Sequence, residues 1–128
     1  MKSDFDNKQP IYQQIIDKMT IAIANGELAA GAKVASVRDL ALLYGVNPNT
    51  MQKSLAKLED AGLLYTERTS GRFVTTDSAK IAELSRVLPD SVIEDFVEEM
   101  MDFGVKLHEI PAKVENYIER SYRKDESN

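Results

Sequence analysis

Residues 36–62, SVRDLALLYGVNPNTMQKSLAKLEDAG, decide the fold. Ser36, followed three residues later by Asp39, is a capping-box start ahead of Leu40, Ala41 and Tyr44. Gly45 stops that helix after two to three turns, giving a span of about 37–44. Asn47-Pro48 opens the next one, a capping side chain followed by proline at the first helical position, where its missing N–H costs nothing. Met51, Leu55 and Leu58 then share one face, and Gly62 ends the helix, so it covers about 48–61. Two helices joined by a short glycine turn are the pattern of a helix-turn-helix, whose second helix enters the DNA major groove.

Upstream, Pro10 stands at a first-turn position, and Ile11, Tyr12, Ile15, Ile16, Met19, Ala22 and Ile23 recur at three and four residues. With Asn25-Gly26 as its stop, this predicts a helix over 11–24, while 27–34 carries no helical pattern. Downstream, the β-prone runs 63–68 and 72–76 flank Thr69-Ser70-Gly71 and predict a hairpin. Asp77-Ser78 caps a helix carrying Ile81, Leu84 and Leu88, which Pro89 is expected to end, and Asp90-Ser91 starts another. Gly104 interrupts that one. Pro111 opens a last stretch with Val114, Tyr117, Ile118 and Tyr122 on one side, before a frayed RKDESN tail. The expected class is α+β, mainly α: a winged helix-turn-helix of three helices plus a β-hairpin over 1–77, then a short helical dimerisation module over 78–128.

Composition agrees and narrows the function. With 128 residues, 43% apolar and 29% charged, the chain reads as globular, with room for a modest core. No apolar run approaches the roughly 18 residues of a membrane span, and MKSDFDNKQP is not signal-like, so a cytoplasmic protein is expected. Without cysteine, and with His108 as the single histidine, thiolate chemistry and the common metal motifs are excluded. No phosphate-cradling or nucleophile-elbow motif occurs, and Glu98, Glu99 and Asp102 stand on a helical face without a nucleophile. Neither an enzyme nor a cofactor or metal is expected, and His108 reads as structural or exposed. The net charge of −5 falls entirely after residue 78, which leaves the first part neutral and compatible with a polyanionic partner.

On the 48–61 helix, Asn49, Gln52, Lys53, Ala56 and Lys57 point away from the apolar stripe. Asn and Gln can read adenine, and Lys can donate to guanine or phosphate. Thr50, beside the helix N-terminus, suits a phosphate. By itself such a face fits an ordinary solvated surface equally well.

The segments PIYQQIIDKM, ANGELAAGAKVASVRDLALLYGVNPNT, MQKSLAKLEDAGLL and GRFV, in this order and spacing, resemble the GntR family of bacterial transcription regulators. The resemblance implies that Arg38 of the SVR motif reaches bases or backbone, and that Ser36 faces phosphate besides capping. It also implies that Asn49, Thr50, Gln52 and Lys53 form the contacting stretch. The family more often carries arginine where Lys53 stands, and lysine is a point charge without a bidentate fork. The wing tip, usually basic with two glycines, reads Arg68-Thr69-Ser70-Gly71-Arg72 here, with Gly71 keeping one glycine position and Arg68 and Arg72 available to phosphates. Ala35 replaces a favoured proline.

The 50 or so residues after Ser78 are similar, in length and pattern, to the YtrA-like branch, which implies a dimerising tail and regulation of transporter operons. Ile93, Phe96, Val97, Met100 and Leu107 form a stripe that a helical arm cannot bury alone, and a twofold mate would cover it. Folding back onto Leu42 and Leu43 is the alternative. The expected function is a homodimeric, sequence-specific regulator, in the repressor sense, acting on double-stranded DNA at a pseudo-palindromic operator. A tail this short does not favour a dedicated small-molecule effector pocket, although a dimer interface can form one. The rival is a winged-helix interaction module that has lost DNA reading. The altered wing and overall acidity favour it, and Arg38, Thr50 and Lys53 oppose it.

Overall fold

The computed structural model describes residues 9–123; the polar residues 1–8 and the expected frayed residues 124–128 lie outside that range. The order of elements is α1 (Ile11–Ala24), α2 (Val37–Tyr44), α3 (Pro48–Asp60), β1 (Leu64–Glu67), β2 (Gly71–Val74), α4 (Ser78–Asp102) and α5 (Ile110–Ile118). Three helices and a hairpin are thus followed by helices, as the sequence patterns require. Two compact units divide between Arg86 and Val87, inside α4.

In the first unit the caps work as their residue types predict. The Ser36 Oγ accepts from the Asp39 N–H at 3.1 Å, and the Asn47 Oδ1 accepts from the Asn49 N–H at 2.7 Å. Pro10 precedes α1 as its cap rather than opening its first turn, and its carbonyl accepts from the Gln13 and Gln14 N–H groups. Gly45 takes φ 70° after α2, which lets the Val46 N–H reach the Ala41 carbonyl and turns the chain sharply toward α3. Ile15, Met19, Met51, Leu55, Leu58 and Val74 are fully buried in the resulting core, with Ile81 and Leu84 of α4 packed on its edge. The Ser85 Oγ also donates to the Ala24 carbonyl at the end of α1. Burial, reinforced by the Glu27 carboxylate, raises the pKa of the Tyr44 phenol. The stability tied to its neutral form is present below the ordinary tyrosine value of about 10 and is lost as pH rises beyond it.

The hairpin is shorter than expected. Gly71 opens β2 opposite Glu67 instead of sitting in the turn, with φ 109° and the Lys33 stem 3.2 Å from where a Cβ would stand. Residues 32–34, which carry no helical pattern, add an antiparallel bridge to β2. The Val34 N–H donates to the Arg72 carbonyl at 2.8 Å and the Val74 N–H to the Ala32 carbonyl at 2.9 Å.

The expectation that Pro89 ends one helix and Asp90-Ser91 begins another is corrected: Pro89 lies inside the 25-residue α4. Proline removes one hydrogen bond and crowds the carbonyl four residues back, at about 3 kcal/mol. The helical turns on either side keep their own hydrogen bonds, and the one before it is anchored on the first unit's core through Ile81 and Leu84. The proline marks a weak point in α4, not its end.

In the second unit α4 ends where Gly104, at φ 90°, lets the Val105 N–H bond the Met100 carbonyl. A 3₁₀ turn, Leu107–Glu109, leads into α5, with Pro111 in its first turn as expected, and a π turn, Glu119–Arg123, follows. Ile110 is the one buried hydrophobic residue described in this unit. Two apolar grooves stay open. One, of about 420 Å³, is lined by Val92, Ile93, Phe96, Met100, Lys113, Val114 and Tyr117. The other, of about 590 Å³, shares Ile93, Phe96 and Val114 and adds Val97, Ile110, Pro111, Glu115 and Ile118. Among the described residues no helix is long and apolar enough to cross a membrane, and no three His, Cys, Asp or Glu side chains gather where a metal ion could sit.

Candidate nucleic-acid interface

With Met51, Ser54, Leu55 and Leu58 turned into the core, α3 presents Asn49, Gln52, Lys53, Ala56 and Lys57 to solvent, and Thr50 is half-buried at its first turn. The face carries amides and ammoniums. Glu59, the first carboxylate along α3, is engaged elsewhere: it accepts from the Arg72 Nε at 3.1 Å and from the Thr66 Oγ1 at 2.8 Å. Its charge is therefore balanced against β2 rather than set against an approaching polyanion.

Arg38 stands exposed in the first turn of α2, behind the Ser36 cap. Neither Arg38, Lys57 nor Arg68 pairs with a carboxylate among the described residues. Arg72 is different, because its side chain is only 19% exposed and bridged to Glu59. Offering it to a phosphate means breaking that pair.

Ser36, Gly71 and Arg72 come together along one groove, with Lys33, Thr66 and Ser70. Asn49, Thr50, Gln52, Lys53 and Lys57 come together on α3. Two residues of this surface escape a reading by periodicity. Lys33 lies in the bridging segment, with its stem laid across Gly71. Tyr12, whose spacing marks it as part of the α1 apolar stripe, instead sets its ring under Lys53, with the ammonium 3.8 Å from the ring centroid. Lys33 left no signal in the sequence beyond being a lysine in a segment without a helical pattern. The Tyr12 contact joins two helices and leaves none.

Residues 11–74, spanning the three helices and the hairpin, match the model of the gntR family of bacterial regulatory proteins. The chain belongs to the GntR family. Its similarity to the uncharacterized HTH-type transcriptional regulator YhcF of Bacillus subtilis is 33% identity over 119 residues, covering 93% of this chain and 98% of that protein. The HTH-type transcriptional repressor YtrA of the same organism is 38% identical over 69 residues, covering 54% of this chain and 53% of YtrA. A solved GntR family transcriptional regulator from Listeria monocytogenes superposes with a TM-score of 0.80 at 37% identity, covering 88% of this chain and 98% of that one. A GntR-family protein is a DNA-binding transcriptional regulator and not a catalyst.

Proposed function

We propose that the protein is a homodimeric, sequence-specific repressor of the YtrA-like kind, acting in the cytoplasm on a pseudo-palindromic operator of a transporter-type operon. Residues 1–77 read the DNA and 78–128 dimerise. The observation that carries the DNA reading is the outward face of α3, free of carboxylates from Asn49 to Lys57 and started by the Asn47 side-chain cap. Arg38, Asn49 and Gln52 read base edges. Lys53 donates to a guanine edge, Ser36, Thr50, Lys57, Arg68 and Lys33 hold phosphates, Gly71 lets the wing backbone approach, and Arg72 joins only when released from Glu59.

The dimer is supported by the open apolar grooves of the second unit. Ile93, Phe96, Val97 and Met100 line them, and Leu107 is 60% exposed nearby in sequence. A twofold axis gives two α3 helices and half-sites about one helical turn apart.

Selection from random duplexes at fixed, near-physiological salt, with Arg38→Ala as control, tests this directly. A palindromic motif that weakens in the control is expected. Salt-sensitive binding without enrichment overturns the reading in favour of an interaction module.

A further inference from the structure

We propose that Tyr12 is a positioning residue for Lys53: its ring holds the ammonium in one direction, so that a flexible lysine on the DNA-reading helix acts as an aimed donor. The inference rests on the DNA-binding role of α3 proposed above.

The geometry has two parts. The Lys53 Nζ sits 3.8 Å from the Tyr12 ring centroid, within the range where a ring's negative face attracts a cation. The backbone that carries the ring is held in place, because the Tyr12 carbonyl accepts from the Ser54 Oγ at 3.0 Å, at the residue next to Lys53. Ser54 is fully buried, and its hydroxyl also bonds the Thr50 carbonyl at 3.1 Å, which ties the start of α1 to the first turns of α3. Lysine is a compact charge on a four-carbon stem and lacks the rigid fork with which arginine selects a direction. A ring clamped beneath the ammonium removes much of that freedom before DNA arrives. Lys53 then contributes to discrimination between sequences, not only to attraction for any duplex.

The contact is read first in the free protein. The Lys53 Cε protons should show an upfield ring-current shift in the wild type and in Tyr12→Phe, and lose it in Tyr12→Leu. A wild type without that shift overturns the proposal, whether or not Tyr12→Leu folds. On the operator selected by the wild type, Tyr12→Leu should weaken binding roughly two- to fivefold. Tyr12→Phe should retain affinity, and in Tyr12→Leu binding to random duplex should fall less than binding to the operator. In a Lys53→Ala background, Tyr12→Leu should cost nothing further. Losses that multiply in the double variant, or equal losses in Tyr12→Phe and Tyr12→Leu, overturn the proposal. A wild type that selects no operator brings down the DNA reading and this role with it, and the ring-current shift separates that failure from a missing contact.

Discussion

The two units treat their apolar side chains in opposite ways. Helices α1 to α3 and the hairpin bury Ile15, Met51, Leu55 and Val74 completely. The second unit leaves Ile93 57%, Phe103 77% and Leu107 60% exposed, and keeps two apolar grooves open. The first therefore closes a core from its own sequence, although Leu42 and Leu43 of α2 stay exposed, and it leaves the polar face of α3 to solvent. The second holds surface that it does not bury by itself, and under the proposed assembly its twofold mate covers it. Each apolar residue covered there is worth on the order of 1.5–3 kcal/mol, so the two halves should respond differently to mutation and to concentration.

The sharpest way to break this contrast is Leu55→Ala. Removing this fully buried leucine of α3 should cost about 2–5 kcal/mol in denaturant unfolding, whatever the protein concentration. A loss that shrinks at high concentration would mean that the first unit, too, is completed by a partner.

Next in size is Ile93→Asp, which sets a carboxylate in both grooves of the second unit. Two charges per dimer should weaken self-association by at least about 2 kcal/mol, seen as monomer in sedimentation where the wild type is dimeric. The melting temperature of the wild type should rise with concentration and that of the variant should not. A concentration-independent wild type would remove the dimer from the account.

Asn47→Ala should cost about 1 kcal/mol, because the Asn49 N–H loses its 2.7 Å acceptor at the start of α3. Since that turn also carries Thr50, operator binding should fall with stability. Unchanged affinity would show that the first turn of α3 stays ordered without its cap.

What the sequence makes legible divides along the same line. The spans of α1 and α2 follow from local caps and stops, Ser36 and Gly45 for α2 and Asn25-Gly26 for the end of α1, because capping is a local interaction. The outward face of α3 follows from periodicity alone. Pro89 misleads because its local penalty is outweighed by the helical turns on both sides, which no window around it reveals. The Lys33 bridge to Phe73, the ring of Tyr12 under Lys53 and the Glu59 pairing of Arg72 join distant segments and leave no period to detect. The polar outer face of α3 is thus readable in the sequence, while the engagement of the cations around it is not.

Arg72 and Lys57 carry the same formal charge at the same surface, yet one is paired and one is open, and this gives the smallest effect. Gln in place of Glu59 keeps one acceptor for Arg72 or Thr66 but deletes the charge that holds the guanidinium. Partly exposed ion pairs are worth about 0.2–1 kcal/mol, so Glu59→Gln should lower stability by no more than that. Its larger consequence lies in binding. One more cation becomes available to phosphate, so affinity for any duplex should rise and the salt slope steepen by about 0.9. Lys57→Ala should flatten the slope by a similar amount, and Arg72→Ala should leave it nearly unchanged while Glu59 is present. A slope that Arg72→Ala flattens as much as Lys57→Ala would show that phosphate outcompetes Glu59, and that the wing arginine belongs with the open cations after all.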